Sequence, residues 1–92
     1  MKYSYSSIKS KQDAYKKVCS VITEDYISQF KIKSEITYDE SNFAIKANGK
    51  GFTLEIEFND VECMVNLELS FLLRALKSKI LNKVETELVK VL

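Results

Sequence analysis

Histidine is absent from this 92-residue chain, so its capacity for chemistry rests on carboxylates, amines, two cysteines and hydroxyls. Without an imidazole there is no Ser-His or Cys-His pair to activate a nucleophile. Carboxylates are the next candidates. Counting residues outward from a turn at Asn59-Asp60 puts Glu57 opposite Glu62 on one hairpin. Two facing carboxylates can share a proton or hold a cation. Glu55 and Glu68 add acidity to the same region, but the D-x-D-x-D-G spacing of a calcium loop is missing. The simpler reading is a solvated sheet face with Lys33 or Lys46 nearby, where like charges cost a few tenths of a kcal/mol. No catalytic residue is assigned, and the expectation is a protein that is not an enzyme.

Arg74, Lys77, Lys79 and Lys83 form a second cluster, suited to an anion or an acidic partner. They equally suit the solvated side of an amphipathic helix, with long stems covering apolar surface. Asn48-Gly49-Lys50-Gly51 resembles a phosphate-cradling loop only superficially. It joins two alternating strands rather than a strand and a helix, so it reads as a hairpin turn. Cys19 and Cys63 make no C-x-x-C pair, and each falls on an apolar face where cysteine behaves as a small hydrophobe. Zinc sites of the Cys/His type are excluded, and no cofactor is expected. Reduced thiols suit a cytoplasmic address.

The balance of 14 basic and 13 acidic residues gives a net charge of +1. Such a chain exerts little long-range pull on nucleic acid or an anionic membrane. Hydrophobic content of 46% is that of a globular domain. No stretch approaches the ~20 apolar residues of a membrane span, and the polar N-terminus has no signal-peptide core. The chain lacks proline, and neither a repeat nor a linker appears. Residues 1–92 read as one domain.

The elements that would position these groups are legible from periodicity. Tyr3 and Tyr5 alternate with polar residues in a short first strand. Ser10 reads as an N-cap, with Asp13 at the capping-box position. Ala14, Tyr15, Val18, Cys19, Ile22, Tyr26 and Phe30 then form one helical stripe over residues 11–30, with Lys16, Lys17, Ser20, Glu24 and Ile27 on the other side. Four alternating segments follow, at 32–38, 43–47, 52–58 and 61–67. A two-residue loop at Asn59-Asp60 predicts Phe58 opposite Val61, Ile56 opposite Cys63, Leu54 opposite Val65 and Phe52 opposite Leu67. Four-residue loops at 48–51 and 39–42 extend the same counting. Ala47 then meets Phe52, Ile45 meets Leu54, Tyr38 meets Phe43 and Ile36 meets Ile45. The parity holds across all four strands, giving an antiparallel meander with one apolar face.

After Leu69 the period changes to 3.6. Ser70 reads as an N-cap, and Leu73, Leu76, Ile80, Val84 and Val91 form a narrow stripe with Leu81 and Leu88 on its shoulder. The fold class is therefore α+β, in the order strand, helix, four strands, helix. Both helices cover one sheet face; if the sheet curves, the C-terminal helix would lie in its concavity, as in a reduced Bet v 1/START-like grip. About 22 helical residues span about 33 Å, whereas a seven-residue strand covers about 24 Å. The last two turns are thus expected to overhang the sheet. Val84, Leu88, Val89, Val91 and Leu92 become the expected partner-binding residues.

The leading strand, the helix with Ala14 near its start, the Gly49-x-Gly51 hairpin, the strand pair around Asn59-Asp60 and the run Leu69-Ser70-Phe71-Leu72-Leu73-Arg74-Ala75-Leu76-Lys77 together resemble the small putative polyhydroxyalkanoic acid system proteins. Ser6-Ser7 stands where that family is associated with a histidine, and Tyr38 or a neighbour stands where it often has a tryptophan. The resemblance implies association with polyhydroxyalkanoate synthesis or granules and lends no catalytic residues. The resulting expectation is a non-enzymatic accessory protein that binds a granule, a granule protein or a second copy through its C-terminal helix. The alternative is a small module that binds an apolar ligand such as a lipid or acyl chain.

Overall fold

Local side-chain hydrogen bonds and left-handed residues fix where each hairpin turns, and these turns set the sheet. The computed structural model describes residues 2–6 and 10–92. Its elements are β1 (Lys2–Ser4), α1 (Lys11–Val21), α2 (Glu24–Ser28), β2 (Ser34–Asp39), β3 (Ala44–Gly49), β4 (Phe52–Phe58), β5 (Glu62–Leu69), a 3-10 segment (Phe71–Leu76) and α3 (Lys77–Val91). The strands make one antiparallel sheet in the order β1-β5-β4-β3-β2. The α+β class expected from the sequence is the one observed.

Each hairpin turns one residue later than the sequence reading placed it, which moves every pair by two. The Asn59 Oδ1 accepts from the backbone N–H of Val61 at 2.9 Å and of Glu62 at 2.7 Å. Asn59 therefore precedes the turn instead of forming its first corner. Phe58 faces Cys63, Ile56 faces Val65, Leu54 faces Leu67 and Phe52 faces Leu69. Val61, expected on the apolar face, is 69% exposed at the tip. At the next hairpin Gly51 takes φ +73°, which glycine adopts without steric cost. The loop shortens to Lys50-Gly51, and Ile45 faces Ile56 while Ala47 faces Leu54. Between β2 and β3 the Asp39 carboxylate accepts from Asn42 through its backbone N–H at 3.2 Å and its Nδ2 at 2.8 Å. Phe43 ends that loop at φ 49°, so Tyr38 meets Ile45 and Ile36 meets Ala47. A shift of two leaves the side chains within the paired strands on their expected face, so the apolar pattern alone does not distinguish the two registers.

The expected single helix over residues 11–30 is two helices. Ser10 caps α1, its side chain accepting from the Asp13 N–H at 3.2 Å. Thr23 is extended, and its Oγ1 accepts from the Tyr26 N–H at 3.1 Å, starting α2 with Glu24 and Asp25 in its first turn. Acidic residues there complement the helix dipole. The break rephases the stripe, so Ile27, assigned to the solvent side, is fully buried.

The first strand pairs with β5, Tyr3 against Cys63, a pairing the sequence leaves open. Its continuation fastens the far end of α3. The Ser6 N–H and Oγ both donate to the Leu92 main-chain oxygen, at 2.8 and 3.1 Å. This corrects the expected overhang: Val84, Leu88 and Leu92 are at most 3% exposed, and Val91 is half-buried. Only Val89, at 66%, faces outward. The helix also begins differently, since a 3-10 segment replaces its first turns and Ser70 makes no side-chain cap. Side by side, α1 and α3 lie over β4 and β5, while α2 packs on β2. Leu54, Ile56, Val65, Ile80, Val84 and Leu88 fill the layer between helices and sheet, where a grip would hold a ligand.

Candidate functional site

Taken in turn, the groups with chemical potential separate into three regions. On the open sheet face Glu57 lies opposite Met64 on one side and Ala44 on the other, not opposite Glu62. Glu62 instead faces Ser4 of β1, with the Lys2 ammonium 4.0 Å away. The expected carboxylate pair is therefore not assembled, because the two-residue shift in register moves Glu62 past it. A shallow depression of about 310 Å³ on this face is lined by Thr37, Asp39, Ala44, Lys46, Glu55 and Glu57. Lys46 and Glu55 form an ion pair across it at 3.5 Å. Exposed pairs of this kind contribute about 0–1 kcal/mol. Among the described residues, no group of three His, Cys, Asp or Glu side chains is placed to hold a metal ion.

The two thiols are free and unlike reactive cysteines. Burial pushes Cys63 up to about 11, so it stays protonated at neutral pH. Cys19 is also raised, first by burial. The Tyr5 hydroxyl lies 2.8 Å from both the Asn59 and Glu62 carbonyl oxygens, tying the first strand to the β4–β5 turn. Burial raises its pKa well above the ordinary phenol value. Asp39 is lowered below the usual carboxylate value by the hydrogen bonds from Asn42, a consequence of its role in the turn.

The third region lies at the end of the molecule where β3 turns into β4 and β5 passes into the 3-10 segment. Of the expected cationic cluster, Arg74 and Lys77 flank one recess with Leu67, Glu68 and Leu69. Lys79 turns to another, with Gln29, Phe30, Lys31, Ile32, Leu73 and Leu76. Lys83 lines neither recess and is exposed further along α3. Phe71 and Leu72, at the start of the 3-10 segment that also carries Arg74, are 82% and 87% exposed. They are the two most exposed large apolar side chains among the described residues. The 3-10 geometry explains this placement: Leu73 and Leu76 hold the segment to the core, and the two residues before them turn outward. Their signal was present in the sequence, since Phe71 and Leu72 are the apolar residues of the run 69–77 that lie off the helical stripe.

Residues 8–92 match the family described as putative polyhydroxyalkanoic acid system protein. The chain belongs to that family. The match covers α1, α2, β2 through β5 and α3, including the 3-10 segment that carries Phe71 and Leu72. No curated protein and no solved structure matched the chain. The family name links the chain to the polyhydroxyalkanoate system. Among the described residues, no helix is long and apolar enough to cross a membrane.

Proposed function

We propose that this member of the polyhydroxyalkanoic acid system family is a small cytoplasmic accessory protein that works by docking rather than by catalysis. The observation that carries this reading is the adjacent pair Phe71 and Leu72, both more than four-fifths exposed beside a core that buries Leu69, Leu73 and Leu76 at least in part. Polar side chains would cost the fold nothing at these two positions, so the apolar ones point to a surface that covers them. Fully burying a Phe and a Leu is worth about 1.5–3 kcal/mol each, together about two to four decades of affinity. The occupant the family setting supports is the polyhydroxyalkanoate granule, through its surface or a protein on it.

This moves the docking end away from Val84, Leu88 and Leu92, which serve the protein's own core. A homodimer through the C-terminal end of α3 would have Val89, 66% exposed, as the one exposed residue among Val84, Leu88, Val89, Val91 and Leu92. The filled layer between helices and sheet favours docking over enclosure of an apolar ligand. The test is co-sedimentation of purified protein with native granules, comparing the wild type with the Phe71→Ser/Leu72→Ser variant. Binding by the wild type and loss in the double variant is expected. Equal binding by both, with unchanged circular dichroism, would overturn the proposed docking end.

A further inference from the structure

The overall charge of +1 conceals an uneven distribution. The loops at 40–43 and 59–62 share one end of the sheet, with Asp39, Glu40, Asp60 and Glu62, partly offset by Lys11 over the Phe43 ring at 5.1 Å and Lys2 at 4.0 Å from Glu62. The opposite end holds the Lys50-Gly51 turn and the 3-10 segment, joined where the Ser70 N–H donates to the Gly51 carbonyl at 2.8 Å. Six exposed cations gather there. Arg74 and Lys77 flank the recess beside Leu69, and Lys31 and Lys79 border the one beside Leu73 and Leu76. Lys50 sits in the adjoining turn, and the backbone of Lys33 lies against Gly49. Glu68 and Glu35 are the carboxylates of this end.

From this arrangement we infer that the surface met by Phe71 and Leu72 is an anionic phospholipid layer. Side chains that stand clear of the protein can enter a fluid apolar layer without needing a preformed pocket. Cations set around them are then placed at the level of the headgroups. The inference rests on the docking role proposed for this end and names the chemistry of what it docks to. Attraction to such a layer acts within about a Debye length of ~8 Å at physiological salt, so the local cluster matters and the net charge does not. A short apolar insertion supported by several cations gives reversible attachment, not a membrane span.

Vesicle flotation tests this directly. The full chain is mixed with vesicles of phosphatidylcholine and phosphatidylglycerol at 7:3, and with phosphatidylcholine alone, at 50 mM and 500 mM salt. Binding to the anionic vesicles, weakened by salt, is expected, with little binding to the neutral ones. Phe71→Ser/Leu72→Ser should lower the partition by about 100-fold or more. Arg74→Gln/Lys77→Gln/Lys79→Gln should lower it by roughly fivefold per charge removed. All these positions are exposed, and matching melting curves would show that the variants keep the fold. Wild-type protein that sediments with granules but ignores anionic vesicles would overturn the lipid inference and leave the docking role standing, with the polymer surface or a granule protein as the occupant. Protein that binds neither would overturn both. Binding to anionic vesicles that persists in the double apolar variant would assign the attachment to a different surface and refute the inference.

Discussion

Leu88→Ala probes the feature on which structure and sequence pattern diverge most, the docking of the C-terminal end of α3. Leu88 is fully buried, and the neighbouring Leu92 oxygen is held by Ser6. Removing three carbons from such a site costs the transfer free energy and leaves a cavity, together about 2–5 kcal/mol. At ~0.05–0.15 kcal/mol per residue, the whole domain has about 5–14 kcal/mol of stability. The substitution therefore takes a large share of it, and the melting temperature should fall by about 4–8 °C per kcal/mol. Val89→Ala is the internal control, one residue along the same helix but 66% exposed. Surface changes usually stay within about 0.5 kcal/mol. Alanine's higher helix propensity should make this one neutral or slightly stabilising. Urea unfolding followed by circular dichroism gives both values on one scale. If Leu88→Ala and Val89→Ala shift the midpoint equally and only slightly, the helix end overhangs in solution and the strapped arrangement is refuted.

Two further outcomes follow from the packing. Gly49→Ala would bring a Cβ to 2.6 Å from the Lys33 carbonyl oxygen and 3.2 Å from Ile32 Cγ2. Backbone cannot yield there as a flexible side chain would, so a loss of about 1–3 kcal/mol is expected by thermal melting; an unchanged melt would contradict the β2–β3 register. Alkaline stability should decline early. Burial raises Cys63 from 9.0 to about 11 and, with the Glu87 carboxylate adding to it, Tyr26 from 10.0 to about 12. The folded state keeps these protons after the unfolded state has released them. Their contribution is therefore complete below pH 9 and is lost as pH rises through about 12. A denaturation midpoint that is flat from pH 8 to 11 would contradict the burial of these groups.

The legible part of the fold is what alternation and helical spacing determine. Parity along β2 to β5 put Ile45, Leu54, Ile56 and Val65 on one face, and they are there. Register was not legible to the same precision, because a shift of two preserves parity. It depends instead on the side-chain bonds of Asn59 and Asp39 and on the left-handed Gly51. Thr23 followed by Glu24 and Asp25 is a readable start signal for α2, overlooked because Ile22, Tyr26 and Phe30 continue a regular stripe across the break. The length comparison between α3 and a strand failed because α3 is 15 residues long, with a 3-10 segment in place of its first turns, and at ~1.5 Å per residue is no longer than the strands. Ser6, 86 positions away in sequence from Leu92, fastens the helix end, and such a contact leaves no local pattern.

The candidate site was partly visible. Arg74, Lys77, Lys79 and Lys83 read as one helical cluster, yet the fold divides them between two recesses and leaves Lys83 in neither. Lys31 and Lys50, distant in sequence, join the first three only through the topology of the sheet. Net charge gave no hint of this, because the acidic turns at the other end balance it. Phe71 and Leu72 lie off the stripe of Leu73, Leu76, Ile80 and Val84, so their outward placement was legible in the spacing, and the structure adds how exposed they are, 82% and 87%.

The most direct measurement of the central claim uses the absence of tryptophan from the chain. Phe71→Trp places a single indole at the proposed point of contact. Its emission should be that of an exposed residue in buffer and shift to shorter wavelength, with protection from iodide quenching, when native polyhydroxyalkanoate granules are added. An indole that remains fully quenchable while the protein co-sediments with the granules would show that another surface makes the contact.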